Sequence, residues 1–146
     1  MAVTKKQFDI EALPGERWFP LETSFEEDMK EYWGDWGVCS EVDTLKDVLM
    51  RRPGPEIDNF DWAAARFKCA IDPERFRAQH DALAQVYRDH GVRVHYVEEQ
   101  RTDKPNALFM RDLCFMTPEG AIVTRPAMEA RRGEEKAVAK ELANLG

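Results

Sequence analysis

Arg111 and Asp112 interrupt a run that is otherwise apolar: Leu108, Phe109 and Met110 precede them, and Leu113, Cys114, Phe115 and Met116 follow. A carboxylate in such surroundings is expensive unless a cation or several donors meet it. Asp112 is therefore either half of an internal ion pair, with Arg111 or Arg125, or a receptor for a positively charged ligand. The other reactive side chains are few. Cys39, Cys69 and Cys114 have no CxxC spacing, and His80, His90 and His95 have no metal-motif partners, so no metal site is expected. Cys114, two residues beyond Asp112, would face the same side of a strand and could line a pocket; the plainer reading is a small buried hydrophobe. His80 lies on an apolar helical stripe as a packed core histidine, and His90 and His95 look exposed.

The elements that must position these residues can be read from pattern. Residues 1–36 form an irregular leader with Pro14-Gly15 and Pro20, ending in a short helix from about Phe25 to Trp33 behind a Ser24–Glu27 capping box. Asp47 to Arg51 reads as a buried strand stopped by Pro53-Gly54-Pro55. Residues 55–71 are ambiguous between a short helix and a loop. Asp72 caps a helix with Pro73 in its first turn, a stripe of Phe76, His80, Leu83 and Tyr87, and a stop at Gly91. Val92–Val97 alternates as a strand, and 98–104 is a polar loop. Leu108–Met116 reads as strand, Thr117-Pro118-Glu119-Gly120 as turn and Ala121–Arg125 as the second strand of a hairpin. A last helix runs from about Arg132 to Leu145, with Val138, Leu142 and Leu145 on one face. In an αβ unit a strand would follow at once. The chain therefore reads either as ending within a structural module or as closing on a C-terminal helix.

At 146 residues with 43% hydrophobic and 34% charged, the chain is long enough for a core and is globular rather than fibrous. A net charge of −7, with Arg125, Arg131 and Arg132 the only local basic cluster, argues against nucleic acid and gives a mild bias toward cationic ligands. No run reaches membrane-spanning length and no signal-peptide core precedes Asp9 and Glu11, so a cytoplasmic, membrane-free protein with reduced thiols is expected.

Three segments, in this order, resemble one family: Gly37-Val38-Cys39-Ser40-Glu41-Val42 with Leu45–Leu49 and Arg52-Pro53-Gly54; Ala78–Leu83 with Gly91–His95; and Pro105-Asn106-Ala107-Leu108-Phe109-Met110-Arg111-Asp112 through Arg131-Arg132-Gly133-Glu134. From about Trp36 to Gly146 the chain resembles the N-terminal part of the guanidine-modifying (pentein) superfamily. That superfamily comprises the arginine deiminases, the dimethylarginine dimethylaminohydrolases and the amidinotransferases. The dimethylaminohydrolase branch fits best through Thr124-Arg125-Pro126 and Arg131–Glu134.

The resemblance implies an α/β (α+β) fold, part of a propeller of ββαβ modules, with residues 37–146 forming its first modules. It implies cofactor-free chemistry of arginine metabolism, in which a cysteine thiolate attacks the guanidinium carbon and a histidine protonates the departing amine. Both groups fall in later modules, beyond this chain, so no turnover is expected from it alone. Asp112 would contact the guanidinium of arginine or a methylarginine. Arg131 would bind the substrate carboxylate, and Asn106 would help hold the amino-acid end. The resemblance thus implies the N-terminal substrate-recognition segment of a guanidino-group hydrolase; an amidinotransferase fragment, a truncated non-catalytic module binding guanidino ligands or a partner chain, and an ordinary α/β domain are the competing readings. An incomplete propeller would also self-associate through open strand edges.

Overall fold

Short elements with strong local signals carry this architecture. The computed structural model describes residues 22–24, 27–28, 37–98 and 102–146; the leader before residue 22, most of the expected first helix and residues 99–101 lie outside them. The capping box at its start is present: the Ser24 amide donates to Glu27 Oε2 at 2.8 Å, and the Glu27 amide to Ser24 Oγ at 3.3 Å.

Strand β1 (Asp47–Met50) pairs in parallel with β2 (Arg93–Tyr96), Asp47 opposite Arg93 and Met50 opposite Tyr96. A parallel pair needs a long crossover, and helix α1 (Pro73–Asp89) supplies it. Asp72 starts that helix by accepting the free amides of Glu74 and Arg75. Gly91, at φ +78°, ends it: its amide bonds the Arg88 carbonyl, and the Val92 amide reaches back to Tyr87, a Schellman arrangement that an L side chain would strain. The helix thus stops where its sequence says it should. Its fully buried contact is Ala84, while Leu83, expected on the apolar stripe, is exposed.

A hairpin follows, β3 (Cys114–Thr117) antiparallel to β4 (Gly120–Val123), and then helix α2 (Glu135–Leu145). Leu113, Val138 and Leu142 make the core of this second unit, and Leu49 of β1 packs against it. Tyr96 lies on the opposite face of the parallel pair, because strand side chains alternate. There it meets α1 through the His80 ring and the Arg88 guanidinium. The parallel pair therefore has α1 on one face and the hairpin unit on the other. The order strand–helix–strand–hairpin–helix is as the pattern implied, and the class is mixed α+β, with two small two-stranded sheets among the described residues.

One expectation fails in a way that matters for the site. Residues 108–113 are not strand. Residues 105–108 turn, and Met110–Asp112 forms one turn of 3-10 helix. The amides of Ala107, Phe109 and Leu113 are satisfied locally by the carbonyls of Lys104, Asn106 and Met110, which leaves none of the three for a sheet ladder. Three consecutive apolar residues without alternation fit a tight turn as well as a buried strand. The final helix likewise begins at Glu135 rather than near Arg132, after a 3-10 turn at Glu129–Arg131. Residues 55–71 resolve into a 3-10 turn at Pro55–Ile57 and a tight turn over 62–66.

Candidate functional site

The 3-10 turn carries Asp112 at the surface, its side chain 57% exposed. Asp112 is therefore not a carboxylate stranded in an apolar strand, as its neighbours in sequence suggest: water already reaches this group. Nor is its partner Arg111 or Arg125. Arg131 Nη1 donates to Asp112 Oδ2 at 2.6 Å, while Asp112 Oδ1 makes no hydrogen bond to a described residue. The Asp112 main chain is fixed from the other side, where the Thr124 hydroxyl donates to its carbonyl.

Arg131 is not a solvated cation at a helix start. Its side chain is 12% exposed, and each edge of the guanidinium is engaged: Nε donates to Glu134 Oε2 at 2.9 Å, Nη1 to Asp112, and Nη2 to the Phe109 carbonyl at 3.0 Å. This fork ties the Asp112 turn to the start of α2, a geometry that a lysine could not reproduce. The sequence arranges it locally. Gly133, at φ +94°, turns the chain between Arg131 and Glu134 so that the two side chains meet across three residues.

Glu134 is the residue that sequence reading left without a role. Its side chain is fully enclosed, and Oε1 has no hydrogen-bond partner among the described residues. Burial raises its carboxyl above the ordinary glutamate range, although Arg131 pulls the other way. At Arg131 the balance is reversed: burial lowers the guanidinium, but its bonds to Asp112 and Glu134 outweigh that and hold it above its usual value. The two ends respond differently because Arg131 is bonded by two carboxylates, whereas at Glu134 burial outweighs the pull of Arg131 and of the more distant Lys104 and Arg51. The i, i+3 spacing around a glycine was the available signal. A second enclosed pair, Arg51 with Glu56 at 3.7 Å, sits in the loop after β1 and had no such signal.

Asn106 is buried and serves the scaffold, its amide nitrogen donating to the Ala65 carbonyl at 3.0 Å. That bond holds the 62–66 turn against the 105–108 turn, which leads into the Asp112 turn. Phe60, Phe67 and Phe109 continue the contact as a ladder of rings with centroids 5.2 and 6.2 Å apart. Asn106, Asp112 and Arg131 thus belong to one corner of the molecule, with Asp112 and Arg131 in direct contact. A cleft of about 630 Å³ between β2 and α2, lined by Val94, Tyr96, Glu98, Lys140 and Asn144 among others, is a separate feature.

The thiols and imidazoles lie elsewhere. Cys114 is half-buried against the Leu113 core, and burial pushes its thiol up, away from the nucleophilic form. Because Asp112 is off the strand, the two no longer share a side as expected. Cys39 and Cys69 are exposed. Among the described residues no imidazole is bonded to a cysteine: His90 meets the Val86 carbonyl, and His80 lies 3.7 Å from Asp81. His95, expected to be exposed, is partly covered and bonds Asp47 at 2.8 Å. Among the described residues no helix is long and apolar enough to cross a membrane.

Comparison with known proteins gives this corner a context. A family model described as N,N dimethylarginine dimethylhydrolase, eukaryotic, matches residues 52–145. The arginine deiminase of Mycoplasma capricolum is 39% identical over 66 residues, which are 42% of this chain and 16% of that protein. That of Limosilactobacillus reuteri is 36% identical over 70 residues, 45% of this chain and 17% of that one. A crystal structure of a dimethylarginine dimethylaminohydrolase adduct with 4-chloro-2-hydroxymethylpyridine superposes with a TM-score of 0.57 at 22% identity, covering 69% of this chain and 37% of that one. The fold is therefore shared with that enzyme, and the aligned part spans a minor share of each relative. These relatives are by name hydrolases acting on guanidino groups. With the family match running over residues 52–145, which include Asn106, Asp112 and Arg131, the chain belongs to the N,N dimethylarginine dimethylhydrolase family, within the superfamily that includes the arginine deiminases.

Proposed function

We propose that this chain is the substrate-recognition segment of a guanidino-group hydrolase of the dimethylarginine dimethylaminohydrolase or arginine deiminase type. The observation that carries the proposal is the family match over residues 52–145, which contains Asn106, Asp112, Arg131 and Glu134. The geometry supports it: Asp112 offers a water-accessible carboxylate whose main chain is pinned by Thr124 and whose turn is stapled by Arg131. A guanidinium is planar, permanently charged and rich in donors, so a fixed carboxylate is its natural receptor. Holding the guanidinium carbon in line for attack would contribute several powers of ten.

In this reading Asp112 takes the guanidinium and Arg131 the carboxylate of arginine or a methylarginine, while Asn106 supports the corner. A thiolate attacks the guanidinium carbon, a histidine protonates the departing amine, and water hydrolyses the resulting amidino-thioether. In this reading the nucleophile and the histidine come from polypeptide outside residues 1–146, as the family resemblance implies; the half-buried Cys114 thiol, pushed up by burial, fits that reading. The fold is then a part of the pentein propeller.

Two measurements test this. L-arginine and its methylated forms, titrated against the wild-type chain and Asp112→Ala, should bind the variant at least tenfold more weakly, the scale of a lost charge-assisted bond; equal affinity removes Asp112 from the site. The chain by itself should release no citrulline, and citrulline formation that tracks with Cys114 would place the nucleophile inside it.

A further inference from the structure

The two groups proposed to receive opposite ends of one ligand are bound to each other. Arg131 Nη1 and Asp112 Oδ2 are 2.6 Å apart, so neither has its full charge available to a newcomer. We propose that Asp112 and Arg131 are mutual placeholders, so that the corner selects ligands carrying both a guanidinium and a carboxylate over ligands carrying either alone. This inference rests on the receptor role of Asp112 given above.

The selection follows from counting partners. A ligand with both charges replaces each internal contact by an equivalent external one, and no charge is stranded. A lone guanidinium that takes Asp112 leaves Arg131 Nη1 without its anion in a site where the side chain is only 12% exposed. A lone carboxylate that takes Arg131 releases Asp112 into water, which already reaches more than half of that side chain. The first exchange is therefore the more costly.

The mechanics favour Asp112 as the group that moves. Arg131 remains held by Glu134 Oε2 through Nε and by the Phe109 carbonyl through Nη2, with or without Asp112. Asp112 has one side-chain bond to give up, and its oxygen Oδ1 is already unbonded among the described residues. Its backbone stays fixed by Thr124. The exchange thus needs a side-chain rotation on an anchored turn, with no rearrangement of α2.

The prediction runs against a simple contact model, in which deleting Arg131 can only weaken binding. Propylguanidine serves as the guanidinium-only probe, butyrate as the carboxylate-only probe and L-arginine as the carrier of both. Each is titrated by amide chemical shifts into the full chain and its Arg131→Gln and Asp112→Asn variants. Arg131→Gln should bind propylguanidine about tenfold more tightly than wild type, as a poorly hydrated cation no longer competes, and should bind L-arginine more weakly. Asp112→Asn should bind butyrate about two- to threefold more tightly, the smaller gain set by an exposed competitor.

Equal propylguanidine affinity in wild type and Arg131→Gln, including undetectable binding in both, overturns the placeholder role. If Asp112→Asn nevertheless abolishes guanidinium binding by the wild-type chain, the receptor reading stands without it. If Asp112→Asn binds L-arginine as well as wild type does, the receptor reading falls and takes this inference with it. Should Arg131→Gln fail to fold, the butyrate arm decides alone, because Asp112→Asn alters an exposed side chain: unchanged butyrate affinity overturns the proposal.

Discussion

Two arginine–carboxylate pairs of this molecule have similar bond lengths and opposite electrostatics. Arg52 grips Asp81 of α1 with two bonds of 2.7 Å, and both side chains are about half exposed, at 50% and 47%. Arg131 grips Glu134 with one bond of 2.9 Å where the carboxylate is fully enclosed. Asp81 is held below the ordinary carboxylate range, chiefly by its bond to Arg52. Glu134 is pushed above that range, chiefly by burial, despite its own arginine. The partner type is the same, so the environment decides the sign. The pair beside α1 is a surface tether, and the pair beside Asp112 is an enclosed charge that needs its partner.

The sharpest way to break this contrast is to remove the enclosed carboxylate. Glu134→Ala should destabilise the fold by about 3 kcal/mol, the scale for breaking a buried ion pair, measured by urea denaturation at neutral pH. A loss under about 1 kcal/mol would make the enclosed pair equivalent to the exposed one.

A pH series sharpens the same point. The folded state holds the Glu134 proton more tightly than the unfolded chain does, so this group contributes most below its ordinary value of 4.5. That contribution falls as pH rises through 4.5 and towards the elevated folded value. Glu134→Gln cannot ionise, so its stability relative to wild type should improve with rising pH across that window. A flat difference would show that burial does not control this group.

Much of the frame around these pairs was legible. The limits of α1 were readable because Asp72, Pro73 and Gly91 act through their own backbone geometry, which needs no tertiary information. The hairpin was readable from the turn residues 117–120. The turn at Met110–Asp112 was not, since apolar side chains in a row do not say which backbone amides will be satisfied locally. The Asp112–Arg131 contact joins residues 19 apart and depends on where α2 begins, which the apolar pattern put near Arg132 rather than at Glu135. Asp112 was singled out by its apolar neighbours and Arg131 through family resemblance; that they meet was visible only once the chain was folded. Glu134 was quoted within its motif without a role, because burial of a charge is a property of the packing around it.

Arg77 is the intermediate case. Its side chain is 21% exposed and donates to the carbonyls of Pro53 and Gly54 at 3.1 and 2.7 Å, and to Asp58. It therefore fastens α1 to the loop after β1 mainly through main-chain acceptors. Arg77→Ala should cost about 2 kcal/mol, within the range for bonds involving a charged donor. High salt should leave most of that cost in place, since carbonyl acceptors are not screened as an exposed ion pair is. A loss abolished by salt would instead group Arg77 with the surface tether.

The smallest effect belongs to Asp81, and it is the one that tests whether exposure is the controlling variable. Asp81→Ala should cost no more than about 0.5 kcal/mol, because two half-exposed partners exchange a protein bond for hydration at little loss. The sign of its pH dependence is opposite to that of Glu134. A lowered folded pKa contributes stability above the ordinary aspartate value of 3.8, and this is lost as pH falls through the folded value. The same substitution has a local readout that does not depend on so small a stability change. His80 lies 3.7 Å from Asp81, and its imidazole is already below its usual range because burial dominates while Asp81 partly compensates. Removing Asp81 should lower the His80 pKa further, as followed by imidazole chemical shifts. An unchanged His80 titration would mean that solvent screens this contact completely, which would extend the surface-tether description even to a neighbour that is mostly enclosed.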